Sequence, residues 1–174
     1  AKEGVDVNQA HKNGGTPLFI ASQNGHTEVV SLLLAKEGVD VNQAHEDGST
    51  PLYIASQKGH TEVASLLLAK EGVNVNQAQK DGATPLYIAS INGHTEVVSL
   101  LLAKEGVDVN QAHKDGRTPI YIASQYGHTE VVSLLLAKEG VDVNQAHKDG
   151  YTPLYIASQN GHTEVVSLLL AKEG

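Results

Sequence analysis

The chain has 174 residues, 40% apolar but only 4% aromatic, with no Trp, one Phe and no Cys. A large ring-filled core, disulfides, thiolate zinc sites and cysteine nucleophiles are therefore excluded. The formal net charge of −8 argues against general binding to nucleic acid or an anionic membrane, since both need a basic surface.

The run Ala1-Lys2-Glu3-Gly4 restarts at Ala35, Ala69, Ala103, Ala137 and Ala171, so the chain reads as one domain of 34-residue units. They span 1–34, 35–68, 69–102, 103–136 and 137–170, with a partial copy at 171–174. In the first unit, Thr16-Pro17 marks a helix start. A Thr hydroxyl accepts a hydrogen bond from an early helix amide, and Pro suits the first helical position, where its missing donor costs nothing. Leu18, Ile20, Ala21 and Ser22 follow, and Gly25 supplies a left-handed stop after about eight residues.

A second helix begins on His26-Thr27-Glu28, with a carboxylate in the first turn where the helix dipole favours it. Val29, Val30, Leu32, Leu33 and Leu34 form an apolar stripe that needs partners on more than one side. The extra residue of Ala35-Lys36-Glu37-Gly38 predicts a slightly longer second helix, and Val39-Asp40-Val41-Asn42 alternates as an extended strand would. Asp47-Gly48 then turns the chain back. Helices under about 12 residues rarely persist alone in water, so each unit must bury its aliphatic face on its neighbours. The expected fold is all-α, a solenoid of stacked helix-turn-helix units with projecting β-turn loops.

These residues resemble the ankyrin repeats, whose pattern D-G-x-T-P-L-h-h-A-x-x-x-G-H-x-E-h-h-x-L-L-L, followed by G-x-D-V-N, is met five times along the whole chain. The third copy reads Asp81-Gly82-Ala83-Thr84-Pro85-Leu86-Tyr87-Ile88-Ala89-Ser90 and then Gly93-His94-Thr95-Glu96-Val97-Val98-Ser99-Leu100-Leu101-Leu102. Tetratricopeptide repeats share the period but want Trp, Leu-Gly and Tyr in the first helix and have no Thr-Pro entry. Three features depart from the ankyrin pattern. The period is 34 rather than the usual 33, the extra residue lying between the leucine triplet and the glycine. The His after Thr-Pro-Leu is here Phe19, Tyr53, Tyr87, Tyr121 or Tyr155, whose rings are expected to pack. The loop Asp is replaced by His11, His45, Gln79, His113 or His147, which removes the usual brace and leaves the turn to Asp-Gly or Asn-Gly chemistry.

Twenty-four of the 34 positions are identical in all five copies, so the differences carry the information. One turn position reads Gly15, Ser49, Ala83, Arg117 and Tyr151; the end of the first helix varies through Lys58, Ile91, Tyr126 and Asn160; and Glu46 stands where other copies have Lys. In ankyrin proteins, loop tips and first helices line the concave surface that grips partners. The resemblance therefore implies a protein-binding patch centred on Arg117, Tyr126 and Tyr151, extended by Ile91. Lys58, Glu46, Ser49 and Asn160 are further contact candidates. Tyr and Arg are enriched in interface hot spots, and here the single Arg and both off-template Tyr fall in the last two units.

Chemical readings fare poorly. The nine His fall into two series, His26, His60, His94, His128 and His162 at the helix junctions and His11, His45, His113 and His147 near the loops. Units roughly 10 Å apart disperse each series beyond the reach of one ion, so no metal is expected. The junction series is expected to serve backbone hydrogen bonding. His26-Thr27-Glu28 matches H-x-E, but the cysteine pair of zinc deaminases is missing. Phosphate loops are absent, and Ser22 and its equivalents have no His–Asp pair to activate them. Every candidate recurs five times, whereas catalysis needs one unique site, so neither an enzyme nor a cofactor is expected.

The sequence thus reads as a protein-interaction module, with a structural or engineered consensus scaffold lacking a natural partner as the alternative. No signal peptide or apolar span is legible, which points to the cytoplasm. A start inside a unit reads as a trimmed fragment of a longer array, and 171–174 as a chain cut within a loop. The last unit lacks a polar cap, so the stripe Val165, Val166, Leu168, Leu169 and Leu170 predicts end-to-end self-association.

Overall fold

A computed structural model describes residues 4–172. Each first helix starts as its sequence dictates: Phe19 N donates to Thr16 Oγ1 at 3.1 Å, with Pro in the first turn, and the same cap recurs at Thr50, Thr84, Thr118 and Thr152. The first helices are α1 (Pro17–Gln23), α3 (Pro51–Lys58), α5 (Pro85–Asn92), α7 (Pro119–Tyr126) and α9 (Pro153–Asn160). Each is followed by a second helix, giving α2 (Thr27–Leu34), α4 (Thr61–Ala69), α6 (Thr95–Ala103), α8 (Thr129–Ala137) and α10 (Thr163–Ala171). From α4 onward the second helix takes in the alanine after the leucine triplet, where the extra residue of the period was expected. The loop cut expected at 171–174 falls largely outside the described residues, since α10 ends at Ala171 and Lys172 caps it.

Helix pairs stack in chain order, and neighbouring first helices approach more intimately than neighbouring second helices. The side chains explain the difference. Buried Ala21, Ser22, Ala55 and Ser56 let first helices close up, whereas second helices bring Val63, Leu67 and Leu68 to the seam. The stack therefore curves towards its first helices. Its main core runs continuously through the seams, from Leu18 and Val30 to Ala157 and Val165.

The expected strand at 39–42 does not form, and no strand occurs among the described residues. Asp40 Oδ1 instead accepts from Asn42 N at 2.9 Å, closing a side-chain turn. Asn42 Nδ2 then donates to the Gly72 carbonyl at 2.7 Å, while Asn42 Oδ1 accepts from Asn74 N at 2.8 Å. Alternation survives because Val41 is buried and Asp40 is exposed, but the backbone groups are satisfied by a side chain bridging successive linkers.

The loop brace lost from the sequence pattern is rebuilt differently. In the hairpin turn, His45 N donates to Ser49 O at 2.9 Å, and Asp47 Oδ1 accepts from Ser49 N at 2.8 Å while lying 3.1 Å from His45 Nδ1. Neighbouring hairpins are joined by a backbone bond, Lys80 N to Asp47 O at 3.0 Å. That approach leaves no room at Gly48, where a Cβ would lie 2.9 Å from Lys80 N and φ is +90°. Four of the five template rings pack as expected, Phe19 stacking on His45 at 5.1 Å and Tyr87 on His113 at 5.4 Å while the Tyr53 hydroxyl donates to Gln79 Oε1 at 3.2 Å, but Tyr155 is 52% exposed.

The second helices start on the expected His-Thr-Glu run with the carboxylate in the first turn, but the junction His makes no side-chain cap on its own helix. Its backbone bond goes to its own first helix, His60 N to Ala55 O, while the ring crosses to the preceding pair and His60 Nε2 meets the Gln23 carbonyl at 3.1 Å. A carbonyl only accepts, so this contact requires Nε2–H. Beneath the ring lies Gly25, where a Cβ would come within 2.8 Å. Lys70 adds a second tie by donating from Nζ to Leu34 O at 2.8 Å, satisfying a carbonyl at the end of α2. Gly93 (φ +67°) and Gly161 (φ +75°) separate the two reasons for glycine, because a Cβ at Gly93 would lie 2.7 Å from His128 Nδ1 but one at Gly161 meets nothing within 4 Å. Gly161→Ala should cost about 1–2 kcal/mol for the left-handed backbone alone. Gly93→Ala should cost roughly 1 kcal/mol more as the His128 bond to Ile91 O is lost, a difference readable in parallel denaturant melts.

Candidate functional site

The varied turn position changes from interior to surface along the stack. Ser49 is only 2% exposed and its Oγ accepts from Gln79 Nε2 at 2.9 Å, and Ala83 is buried as well. Arg117 is half-buried at this position, and Tyr151, in the last described unit, is 40% exposed.

Arg117 is held by its neighbour in the turn. Its Nε donates to Asp115 Oδ2 at 2.7 Å, Nη2 pairs with the same oxygen, and its backbone N donates to Asp115 Oδ1 at 3.0 Å. Partial burial pushes the Asp115 carboxyl up, but hydrogen bonds from the Arg117 side chain and backbone, and then from His113, carry it well below the usual aspartate range. The guanidinium is raised in turn by its bond to Asp115, against partial burial, with the Tyr87 and Tyr126 hydroxyls near enough to add to the effect.

Tyr126 closes α7, is 53% exposed and stacks on His128 at 6.1 Å. Tyr151 belongs to a ladder of rings: Tyr121 to His147 at 5.8 Å, His147 to Tyr151 at 6.5 Å, and Tyr151 to Tyr155 at 4.7 Å. These separations suit offset aromatic pairs. The Tyr121 phenol is raised by burial first, lowered by Arg117, and raised again by Asp115, Asp149 and Tyr151, which sets Tyr121 between the two off-template residues. Arg117 thus lies within electrostatic reach of Tyr126, and Tyr121 within reach of both Arg117 and Tyr151. Ile91 is half-buried, packed on a second, smaller apolar cluster of Tyr53, Ala83, Tyr87, Ile88 and Ile122.

Of the remaining candidates, Glu46 and Lys58 are exposed in the second unit, whereas Asn160 is exposed beside Tyr126, with its amide donating to the Gln125 carbonyl at 2.8 Å. The ladder members His147 and Tyr155 were not singled out from the sequence, because both occupy template positions. The available signal was that a fifth Tyr has no sixth unit to cover it.

A family model described as ankyrin repeats (3 copies) matches residues 1–79, 37–113, 67–147 and 103–174. The chain belongs to the ankyrin-repeat family. A search of curated proteins found no match. Ankyrin repeats are generally protein-interaction modules, and this ankyrin-repeat chain shares their stacked helix pairs. Among its described residues no group of three or more His, Cys, Asp or Glu is placed to hold a metal ion, and no helix is long and apolar enough to cross a membrane.

Two measurements test this geometry. The Tyr53 phenol is pushed up to about 12 by burial and by the negative charges of Asp81 and Asp47, and its hydroxyl is bonded, whereas the buried Tyr87 hydroxyl has no partner among the described residues. Tyr53→Phe should therefore cost about 1 kcal/mol in chemical denaturation, and Tyr87→Phe should be neutral or stabilising. Asp115 ionises below its ordinary value of 3.8, so the stability it contributes is present above that value and is lost as pH falls through its folded value. The melting temperature should fall less between about pH 5 and about pH 2 in Arg117→Ala than in the wild type.

Proposed function

We propose that this ankyrin-repeat chain binds a partner protein through its hairpin and first-helix side, with Arg117, Tyr126 and Tyr151 as the anchors. The supporting observation is that Tyr126 and Tyr151 are exposed, Tyr151 within a ladder of rings, and that the half-buried Arg117 lies within electrostatic reach of Tyr126, while Ser49 and Ala83 at the same turn position are buried. Two exposed Tyr rings offer broad, stiff contact area, and a guanidinium already fixed by Asp115 loses little freedom on binding. A partner segment presenting an apolar or aromatic side chain to the rings and an acceptor to the free guanidinium edge suits this surface. Ile91 extends it on one side. Ser49 lies too deep to contribute, Asn160 adjoins Tyr126 through its bond to the Gln125 carbonyl, and Glu46 and Lys58 belong to the second unit.

The identity of 24 positions in every copy supports a second reading, a structural or engineered repeat scaffold without a natural partner. Affinity capture followed by titration of the retrieved protein separates the two. On the first reading, alanine at Arg117, Tyr126 and Tyr151 together weakens binding at least roughly tenfold, about 1.4 kcal/mol. Unchanged affinity would remove the patch, and capture that retrieves nothing favours the scaffold.

A further inference from the structure

The four seams inside the stack repeat one set of contacts, and the two outer faces of the described chain hold the two unpaired halves of that set. At the C-terminal face, Gly150 and Gly161 meet nothing within 4 Å, although the equivalent glycines of the four preceding units are filled by the next unit's backbone or His ring. Leu170 is 68% exposed, whereas its equivalents Leu68, Leu102 and Leu136 are buried, and the Tyr155 ring is uncovered where Tyr53, Tyr87 and Tyr121 are covered. A groove of about 730 Å³ runs along this face between Val143 and Leu170. At the N-terminal face, Leu32 is 75% exposed, and Val29 is exposed although its equivalents Val63, Val97 and Val131 are buried. A second groove, of about 280 Å³, is lined there by Val5, Val7, Leu32 and Lys36.

We propose that the N-terminal face of one chain seats on the C-terminal face of a second copy, forming a fifth seam of the same geometry and hence an open head-to-tail filament. The internal seams specify the pairing. Lys70, Lys104 and Lys138 donate from Nζ to Leu34, Leu68 and Leu102 carbonyls, so the second copy's Lys36 meets Leu170 O. His60 and His94 meet the Gln23 and Gln57 carbonyls over Gly25 and Gly59, so the second copy's His26 meets Gln159 O over the open Gly161. Lys80 N donates to Asp47 O beside Gly48, which places the second copy's Lys12 N on Asp149 O beside the open Gly150. Phe19 stacks on His45 and Tyr121 on His147, which sets the second copy's His11 against Tyr155. The second copy enters the seam from Val5 onward, since residues 171–174 repeat the sequence of 1–4. Because the two faces differ, the contact is heterologous and leaves a free face at each end for further growth.

Sedimentation of the 174-residue chain over a roughly hundredfold concentration range, with two surface variants, tests this. The wild type should show a ladder of oligomers growing with concentration. Leu32→Glu blocks one face and Leu170→Glu the other, so each variant alone should stay monomeric. Mixed, they should form one-to-one complexes and stop there, because Leu32→Glu keeps an intact C-terminal face and Leu170→Glu an intact N-terminal one. Both substitutions fall on exposed side chains, and if either loses helical circular dichroism, Val5→Glu and Tyr155→Glu carry the same test. A wild type monomeric throughout, a single variant that still self-associates, or a mixture that stays monomeric would each overturn the proposal.

Discussion

The whole stack depends on how closely the backbone of one unit approaches the next. At each seam a His ring lies over the glycine that ends the preceding first helix and reaches a carbonyl just before it, while a hairpin amide reaches the preceding hairpin beside a second glycine. Neither contact tolerates a Cβ, and both glycines also hold a positive φ. This double requirement sets the separation of the first helices, and the small Ala and Ser side chains between them fit that separation. The second helices, with Leu and Val, are held further apart. The curvature of the stack follows from that difference.

Much of the architecture was legible because its signals are local. Thr-Pro entries, glycine stops and the aliphatic stripe each act within a few residues, and all ten helices start or stop close to where those signals stand. The strand at 39–42 was misread because alternation of Val and Asp records which side chains are buried, without recording what the backbone bonds to. The role of the junction His was half legible. That it serves a backbone group could be argued from one unit, but the carbonyl reached by its ring belongs to the preceding one.

The site was legible through differences and illegible through sameness. Arg117, Tyr126 and Tyr151 stand out against the template, and Arg117 lies within electrostatic reach of Tyr126. Ser49 occupies the same turn position as Arg117 and Tyr151 yet is buried, with Gln79 of the following unit bonded to its hydroxyl. Tyr155 and His147 are invisible to a comparison of copies. The exposure of Tyr155 comes from its place in the last described unit, whereas His147 is as covered as His113 and gains its extra stacking partner from Tyr151.

The ties between units have a mechanical consequence. No side-chain hydrogen bond in the described chain spans more than 37 residues, so tension between the two ends is resisted by one seam at a time. A pulled chain would peel from an end, each event releasing one unit of 34 residues, on the order of 110 Å of extended chain. Seams so nearly alike would yield at nearly the same force. Such a molecule would lengthen in even steps rather than fail all at once.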